Sequence, residues 1–142
     1  MPSATTSNYL YDGHMSKLLQ GTAFTDPSTI HVALFTTIPA LDGTGGVEVS
    51  TSGTGYARVA VAQGANWTGP SGANREYSNT NDIQYGTPSS NWGTIVGAGL
   101  YDASTGGNLL FVAYLTTPKT VNNGDGAPKI SAGQLRITRA TC

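Results

Sequence analysis

Charged side chains are scarce in this chain of 142 residues. Asp, Glu, Lys and Arg make up 11% of it, against about 25% in ordinary soluble domains. Its 7 basic and 8 acidic residues leave a formal net charge of -1, and no segment concentrates the lysines and arginines. Because clustered basic charge supplies most of the non-specific affinity for nucleic acids, we expect no DNA or RNA partner.

Cysteine and long apolar runs are also lacking. The single cysteine is Cys142, which excludes an intrachain disulfide and a thiolate metal cluster. No apolar run approaches the roughly 18 residues of a membrane-spanning helix. The first residues, MPSATTSN, have neither the basic nor the apolar region of a signal peptide. We therefore expect a soluble protein that is not exported and has no metal ion and no membrane partner.

Groups that could converge in a catalytic site are few. The two histidines, His14 and His31, stand alone in a predicted helix and a predicted strand, where a histidine is more often structural than catalytic. No G-x-S-x-G motif marks a nucleophile. The glycine-rich stretches are not followed by the Gly-Lys-Ser/Thr step of a phosphate-binding loop. We expect no enzymatic activity and no cofactor.

Glycine and apolar residues are present in quantity. The chain has 19 glycines, and 38% of its residues are hydrophobic, which is enough to bury one core in a chain of this length. The composition therefore predicts a single folded domain with many turns and a polar, weakly charged surface.

The segment from about Tyr9 to Gln20 is predicted to be a short amphipathic helix. Ser7 or Asn8 can cap its start, and Gly21 can cap its end. Its apolar side chains recur at helical spacing and form one stripe, which we expect to pack on the core: Tyr11, Met15, Leu18 and Leu19. Residues 1–8 are predicted to form a flexible arm, and residues 9–142 a single β domain that begins with this helix.

The rest of the chain is predicted to be strands joined by turns. Ile30–Thr37 has apolar side chains at both odd and even positions, which indicates a strand covered on both faces. Gly97 and Gly99 share one face of a strand, where we expect a close neighbour. The other predicted strands are Tyr56–Ala62, Thr94–Tyr101, Asn108–Thr116 and Gln134–Arg139. This pattern predicts a mainly β fold, either an antiparallel β-sandwich or a jelly-roll-like barrel, with a short N-terminal α-helix.

Aromatic and basic side chains supply the candidate interface. Aromatic residues beside strands belong to the rim of a core, to a protein interface or to a sugar-binding platform, and the sequence leaves these three alternatives open. The candidate interface residues are Tyr9, Tyr11, Trp67, Tyr77, Tyr85, Trp92, Arg136 and Arg139.

Several strings along the chain resemble a family of small virion proteins of tailed bacteriophages. The most recognisable are VALFTT, GYARV, WGTI and GGNLL, and the resemblance extends from about Tyr9 to Thr138. Members of the family carry the labels head decoration (cement) protein, tail fibre protein or virion structural protein. The resemblance implies kinship and a structural role rather than catalysis.

Three functions are compatible with this resemblance and with the composition. We expect a capsid decoration protein on the outside of the capsid, assembled in the host cytoplasm, which forms a homotrimer and bridges major capsid protein subunits. The first alternative is a tail fibre or tail-tip component that adheres to a host-surface glycan or receptor through residues 64–91. The second is a carbohydrate-binding module that uses Trp67 and Trp92.

Overall fold

The structure, a computed structural model, describes residues 4–138. One helix and eleven strands follow one another along the chain. In order they are β1 (Thr5–Thr6), α1 (Asn8–Gln20), β2 (Thr29–Thr37), β3 (Val47–Glu48), β4 (Val59–Ala62), β5 (Trp67–Ser71), β6 (Glu76–Asn79), β7 (Ile83–Gln84), β8 (Gly93–Tyr101), β9 (Leu109–Val121), β10 (Lys129–Ile130) and β11 (Arg136–Ile137).

The largest sheet is antiparallel and is built around β2, β8 and β9. Its strand order is β1-β9-β8-β2-β3, and β4 pairs with the same edge of β2 as β3 does. A hairpin joins β8 to β9, and the carboxylate of Asp102 closes it by accepting hydrogen bonds from the backbone N–H (2.7 Å) and the side-chain amide (2.9 Å) of Asn108. The run Asn108–Thr116 is predicted as a strand; β9 begins one residue later, at Leu109, and continues to Val121.

Two small sheets, β7-β10 and β5-β6-β11, cover one face of the large sheet. Alternate residues of β2 separate into two buried clusters: Val32 and Leu34 face the small sheets, whereas Ala33 and Phe35 face the opposite side. The chain after β2 covers that opposite side, since Ile38 packs there and Gly46 lies against Phe35. The predictions of a mainly β, sandwich-like fold and of a doubly covered strand are confirmed.

Gly97 and Gly99 lie where neighbouring groups approach the sheet closely. A Cβ atom on Gly97 would lie 2.3 Å from Ile38 and 2.4 Å from the carbonyl oxygen of Ala113, and one on Gly99 would lie 2.8 Å from Phe35. The close neighbour predicted from this glycine pair is confirmed.

The helix begins and ends as predicted, but its apolar stripe does not pack on the core. The side chain of Ser7 accepts a hydrogen bond from the backbone N–H of Leu10, and Gly21 ends the helix in the left-handed conformation. Leu10 is the buried residue of α1, whereas Leu18 and Leu19 are about three-quarters exposed. The predicted packing of the stripe is wrong, because the helix meets β9 through its first turn.

Residues 4–8 of the predicted flexible arm are held in place. Ala4 donates a hydrogen bond to the carbonyl of Arg136 (2.7 Å), Thr5 and Thr6 pair with β9, and the backbone N–H of Ser7 donates to Leu110 (2.8 Å). Thr5, Thr6 and Ser7 find backbone partners on an edge of β9 and Ala4 finds one on β11, which the composition of the segment does not show. Residues 1–3 lie outside the described part of the chain.

Two other predicted strands are shorter than expected. Within the predicted strand Tyr56–Ala62, only Val59–Ala62 forms a strand, β4. Within the predicted strand Gln134–Arg139, the described strand is β11, Arg136–Ile137. In the first case Tyr56 and Arg58 are drawn away from regular pairing because their side chains join a buried polar network.

The buried network is centred on an ion pair between Glu48 and Arg58. The guanidinium of Arg58 donates to both carboxylate oxygens of Glu48, at 2.9 and 2.8 Å, and its side chain is only 6% exposed. It also donates to the carbonyls of Ala103 and Gly106 in the β8-β9 hairpin, at 2.9 and 2.8 Å, and lies 3.9 Å from the centre of the Tyr101 ring. Burial alone lowers the pKa of Arg58, but the hydrogen bonds and charge of Glu48 raise it by more.

Tyr56 connects this ion pair to the core. Its hydroxyl donates to Glu48 (2.8 Å) and accepts from the backbone N–H of Leu34 (2.9 Å). Its ring lies 5.4 Å from that of Trp92 and 6.0 Å from that of Tyr85. Side chains from four separate segments therefore meet at one polar and aromatic junction.

We predict that Glu48→Gln lowers the free energy of unfolding by about 2–4 kcal/mol, because a buried arginine then lacks its counter-charge. Urea denaturation followed by circular dichroism measures this. The matched control is Glu76→Gln, since Glu76 lies 3.8 Å from Arg136 in a solvent-exposed pair that should contribute no more than about 1 kcal/mol. Equal effects of the two substitutions would contradict a stabilising role for the buried pair.

A second prediction concerns high pH. Burial raises the pKa of Tyr56 and of Tyr85, whereas in the unfolded chain a tyrosine ionises near pH 10. Above about pH 10 the unfolded state therefore binds fewer protons than the folded state, and stability falls as pH rises. Urea midpoints measured from pH 8 to about pH 11 should decrease, and should decrease less steeply in Tyr85→Phe. A slope that is the same in both proteins would count against this assignment.

Candidate interaction surface

His14 and His31, the two histidines, have different surroundings. His14 contacts Asp26 at 2.6 Å in an exposed pair, and His31 is half-buried with its Nδ1 atom unbonded. Within residues 4–138, no three His, Cys, Asp or Glu side chains lie close enough to hold a metal ion. None of the helices described there is long and apolar enough to span a membrane.

Three exposed apolar side chains lie on α1. We call Tyr11, Leu18 and Leu19 the helix patch, since positions seven and eight residues apart lie on one face of a helix. Tyr11 is 58% exposed, Leu18 74% and Leu19 76%. Because a single exposed leucine is common but a contiguous apolar face is not, the helix patch is a candidate contact surface for another protein.

The helix is attached at one end, which is why the patch stays outside. Ser7 anchors the first turn to β9, because its backbone N–H donates to Leu110 at 2.8 Å and its hydroxyl donates to Leu109. Phe24 packs against Gly13, with its ring 5.6 Å from that of Tyr9. These contacts fix the orientation of α1 through one side, and the opposite side faces solvent.

Further exposed apolar side chains lie on the large sheet and on the loop that covers it. Tyr9 and Leu41 border a hollow of about 150 Å³ beside the β8-β9 hairpin. Val47 and Tyr114 are each more than half exposed. Tyr114 lies opposite Gly97 in the strand register.

Trp67 and Tyr77, which are candidate residues from the sequence, come together on one face of the small sheet β5-β6-β11, and the candidate Arg136 belongs to the same sheet. Trp67 and Tyr77 line a shallow apolar hollow of about 220 Å³ with Phe111 and Ile137. Arg136 pairs in register with Ser78 of the same small sheet and contacts Glu76. Their predicted part in an interface, like that of Tyr9 and Tyr11, stays a prediction.

Two other candidates, Tyr85 and Trp92, are core residues. They are 4% and 5% exposed. The Trp92 indole N–H donates to the carbonyl of Thr54 (2.8 Å), and the Tyr85 hydroxyl donates to that of Val32 (3.1 Å). Their polar atoms are satisfied inside the fold, so the structure contradicts an exposed role and a sugar platform shared by Trp67 and Trp92. Arg139 and Cys142 lie outside the described residues.

Several apolar residues are exposed although the sequence does not predict it. Leu18 and Leu19 are in the predicted stripe but were expected to be buried, because an apolar face normally indicates core packing. Leu41, Val47 and Tyr114 stand in segments whose exposure depends on which strands pair.

We predict that Leu18→Gln/Leu19→Gln changes the free energy of unfolding by no more than about 0.5 kcal/mol, because both side chains already face water. Leu10→Ala, on the buried side of the same helix, should cost about 2–5 kcal/mol. Urea denaturation of the three proteins tests this. A double variant as unstable as Leu10→Ala would mean that the helix patch belongs to the core.

Comparison with known proteins places this chain beside one family. The family model described as "Podophage GP4 fiber I protein gp80" matches residues 5–138. No curated protein matches the chain. The match covers every strand and the helix of the described structure.

Proposed function

This chain belongs to the podophage GP4 fiber I protein gp80 family, and we propose that it is a structural subunit of a tail fibre. The family match supports a phage virion structural protein of the fibre type. The resemblance to virion proteins of tailed bacteriophages is therefore confirmed. The match over residues 5–138 carries the proposal, since it includes the whole described fold.

The surface supports a role in assembly. The helix patch presents Tyr11, Leu18 and Leu19 to solvent on a helix whose other side is fixed, and exposed apolar faces of this kind are typical of protein contacts. The formal net charge of -1 means that copies of the chain, or neighbouring subunits, meet without strong long-range repulsion.

The fibre family supports the first alternative rather than the expected capsid decoration role. The family match gives no support for the bridging of major capsid subunits or for a location on the capsid exterior. The partners we propose are neighbouring fibre subunits, which contact the helix patch. A homotrimer and a receptor contact through residues 64–91 stay predictions, and we propose no catalytic activity.

Location in the particle tests this proposal. We predict that gold-labelled antibodies against this protein bind at the tail of purified virions, and that its copy number by quantitative mass spectrometry is a small fraction of that of the major capsid protein. Antibodies against the major capsid protein provide the control, because they should label the shell. Labelling over the whole shell, with a copy number comparable to that of the capsid protein, would contradict a fibre role.

A further inference from the structure

A small hollow of about 150 Å³ lies where the start of α1, the loop after β2 and the β8-β9 hairpin meet. We call it the hairpin hollow, and its walls include Tyr9, Leu41, Asp42, Tyr101 and Asn108. None of these residues belongs to the helix patch. Because drug-sized ligands occupy pockets of roughly 300 Å³ or more, this hollow suits a single small group of a ligand.

Asp42 gives the hairpin hollow a negative charge. Its Oδ1 atom accepts hydrogen bonds from the hydroxyl (2.7 Å) and the backbone N–H (2.9 Å) of Thr44, and these bonds lower the pKa of the carboxyl. The group is therefore ionised at neutral pH, and its Oδ2 atom has no partner among the described residues. None of the other described residues in the wall is charged.

Charged groups that contact the wall residues do not offset this carboxylate. Arg58 lies 3.9 Å from the centre of the Tyr101 ring, but it binds both carboxylate oxygens of Glu48, and that pair is neutral as a whole. The carboxylate of Asp102 accepts hydrogen bonds only from neutral groups of Asn108, at 2.7 and 2.9 Å. The charges around the hollow therefore favour a cation over an anion.

Tyr101 brings an unsatisfied hydroxyl to the hairpin hollow. The residue is only 8% exposed, and its hydroxyl makes no hydrogen bond with another described residue. The fully buried side-chain atom that lacks a partner in the described chain is Nδ1 of His31, so the hydroxyl of Tyr101 is open to solvent. A nearly buried polar group that the fold leaves unused is available to a ligand in the hollow.

The free polar atoms of the wall match a primary ammonium group. One N–H of the Asn108 side chain is bonded within the hairpin, which leaves the amide oxygen as an acceptor. Together with the Oδ2 atom of Asp42 and the hydroxyl oxygen of Tyr101 it makes three acceptors, and an ammonium group has three N–H donors and no acceptor. The exposed side chains of Tyr9 and Leu41 can cover an aliphatic stem behind the ammonium.

We propose that the hairpin hollow binds a primary ammonium group on an aliphatic stem, through the carboxylate of Asp42, the hydroxyl of Tyr101 and the amide oxygen of Asn108. The lysine side chain of another protein and a free alkylamine both carry this group. The site goes beyond the proposed fibre role and stands on these residues alone, so its presence does not depend on which part of the virion holds the protein.

NMR titration of the isotope-labelled full chain tests the proposal with two matched pairs of ligands. The pairs are butylamine with butanol, and Nα-acetyl-lysine methylamide with its norleucine counterpart. We expect saturable shifts at the backbone N–H groups of Gly43 and Gly107, which line the hollow, with a dissociation constant of about 10 mM or lower for at least one amine. Its uncharged counterpart should bind about tenfold more weakly or worse. Binding of butylamine alone assigns the site to free amines, whereas binding of the blocked lysine assigns it to a protein side chain.

Two substitutions in the wall should weaken binding of the amine. Asp42→Asn should cost about tenfold or more, because it removes the charge while its side-chain oxygen can still accept from Thr44. Tyr101→Phe should cost about two- to tenfold, because one neutral hydrogen bond is lost. The matched control is Asp125→Asn, since Asp125 also closes a loop by accepting from the backbone N–H of Asn122 (2.7 Å) and lies outside the hollow.

The control variant should bind the amine as the unmodified protein does. The proposal is overturned if neither amine gives saturable shifts at Gly43 and Gly107, if the charged and uncharged members of both pairs bind equally, or if Asp125→Asn loses as much affinity as Asp42→Asn.

Discussion

A buried ion pair between Glu48 and Arg58 is the contact on which the rest of this structure depends. It joins a short edge strand to the segment before β4, and the same guanidinium holds the β8-β9 hairpin through the carbonyls of Ala103 and Gly106. A planar guanidinium with five donors can satisfy several acceptors at once. One side chain thereby fixes three segments that are distant in sequence, in a chain with few charges to use elsewhere.

The large sheet is covered on one face by the small sheets and on the other by the chain after β2. Phe24 packs against Gly13 in the middle of α1, and the first turn of the helix contacts β9. Ser7 and Leu10 make that contact, and Leu18 and Leu19 are left in water. An apolar face that the domain does not need for its own stability is then available to a partner, as expected for a subunit of a larger assembly.

The proposed fibre role requires a stable fold and complementary contacts between subunits. The helix patch is an exposed apolar surface that suits such a contact.

Local chemistry in the sequence determined the helix with its cap at Ser7 and its end at Gly21, the doubly buried strand β2, and the close approach at Gly97 and Gly99. Each of these depends on a period, a cap or a missing side chain that can be recognised over a few residues. Tertiary structure alone decided that Tyr85 and Trp92 are inside while Leu18 and Leu19 are outside, and that Thr5 and Thr6 pair with β9. The physical reason is that burial and pairing depend on which distant segments meet, and an apolar or aromatic side chain has the same local pattern whether its partner lies in its own chain or in another.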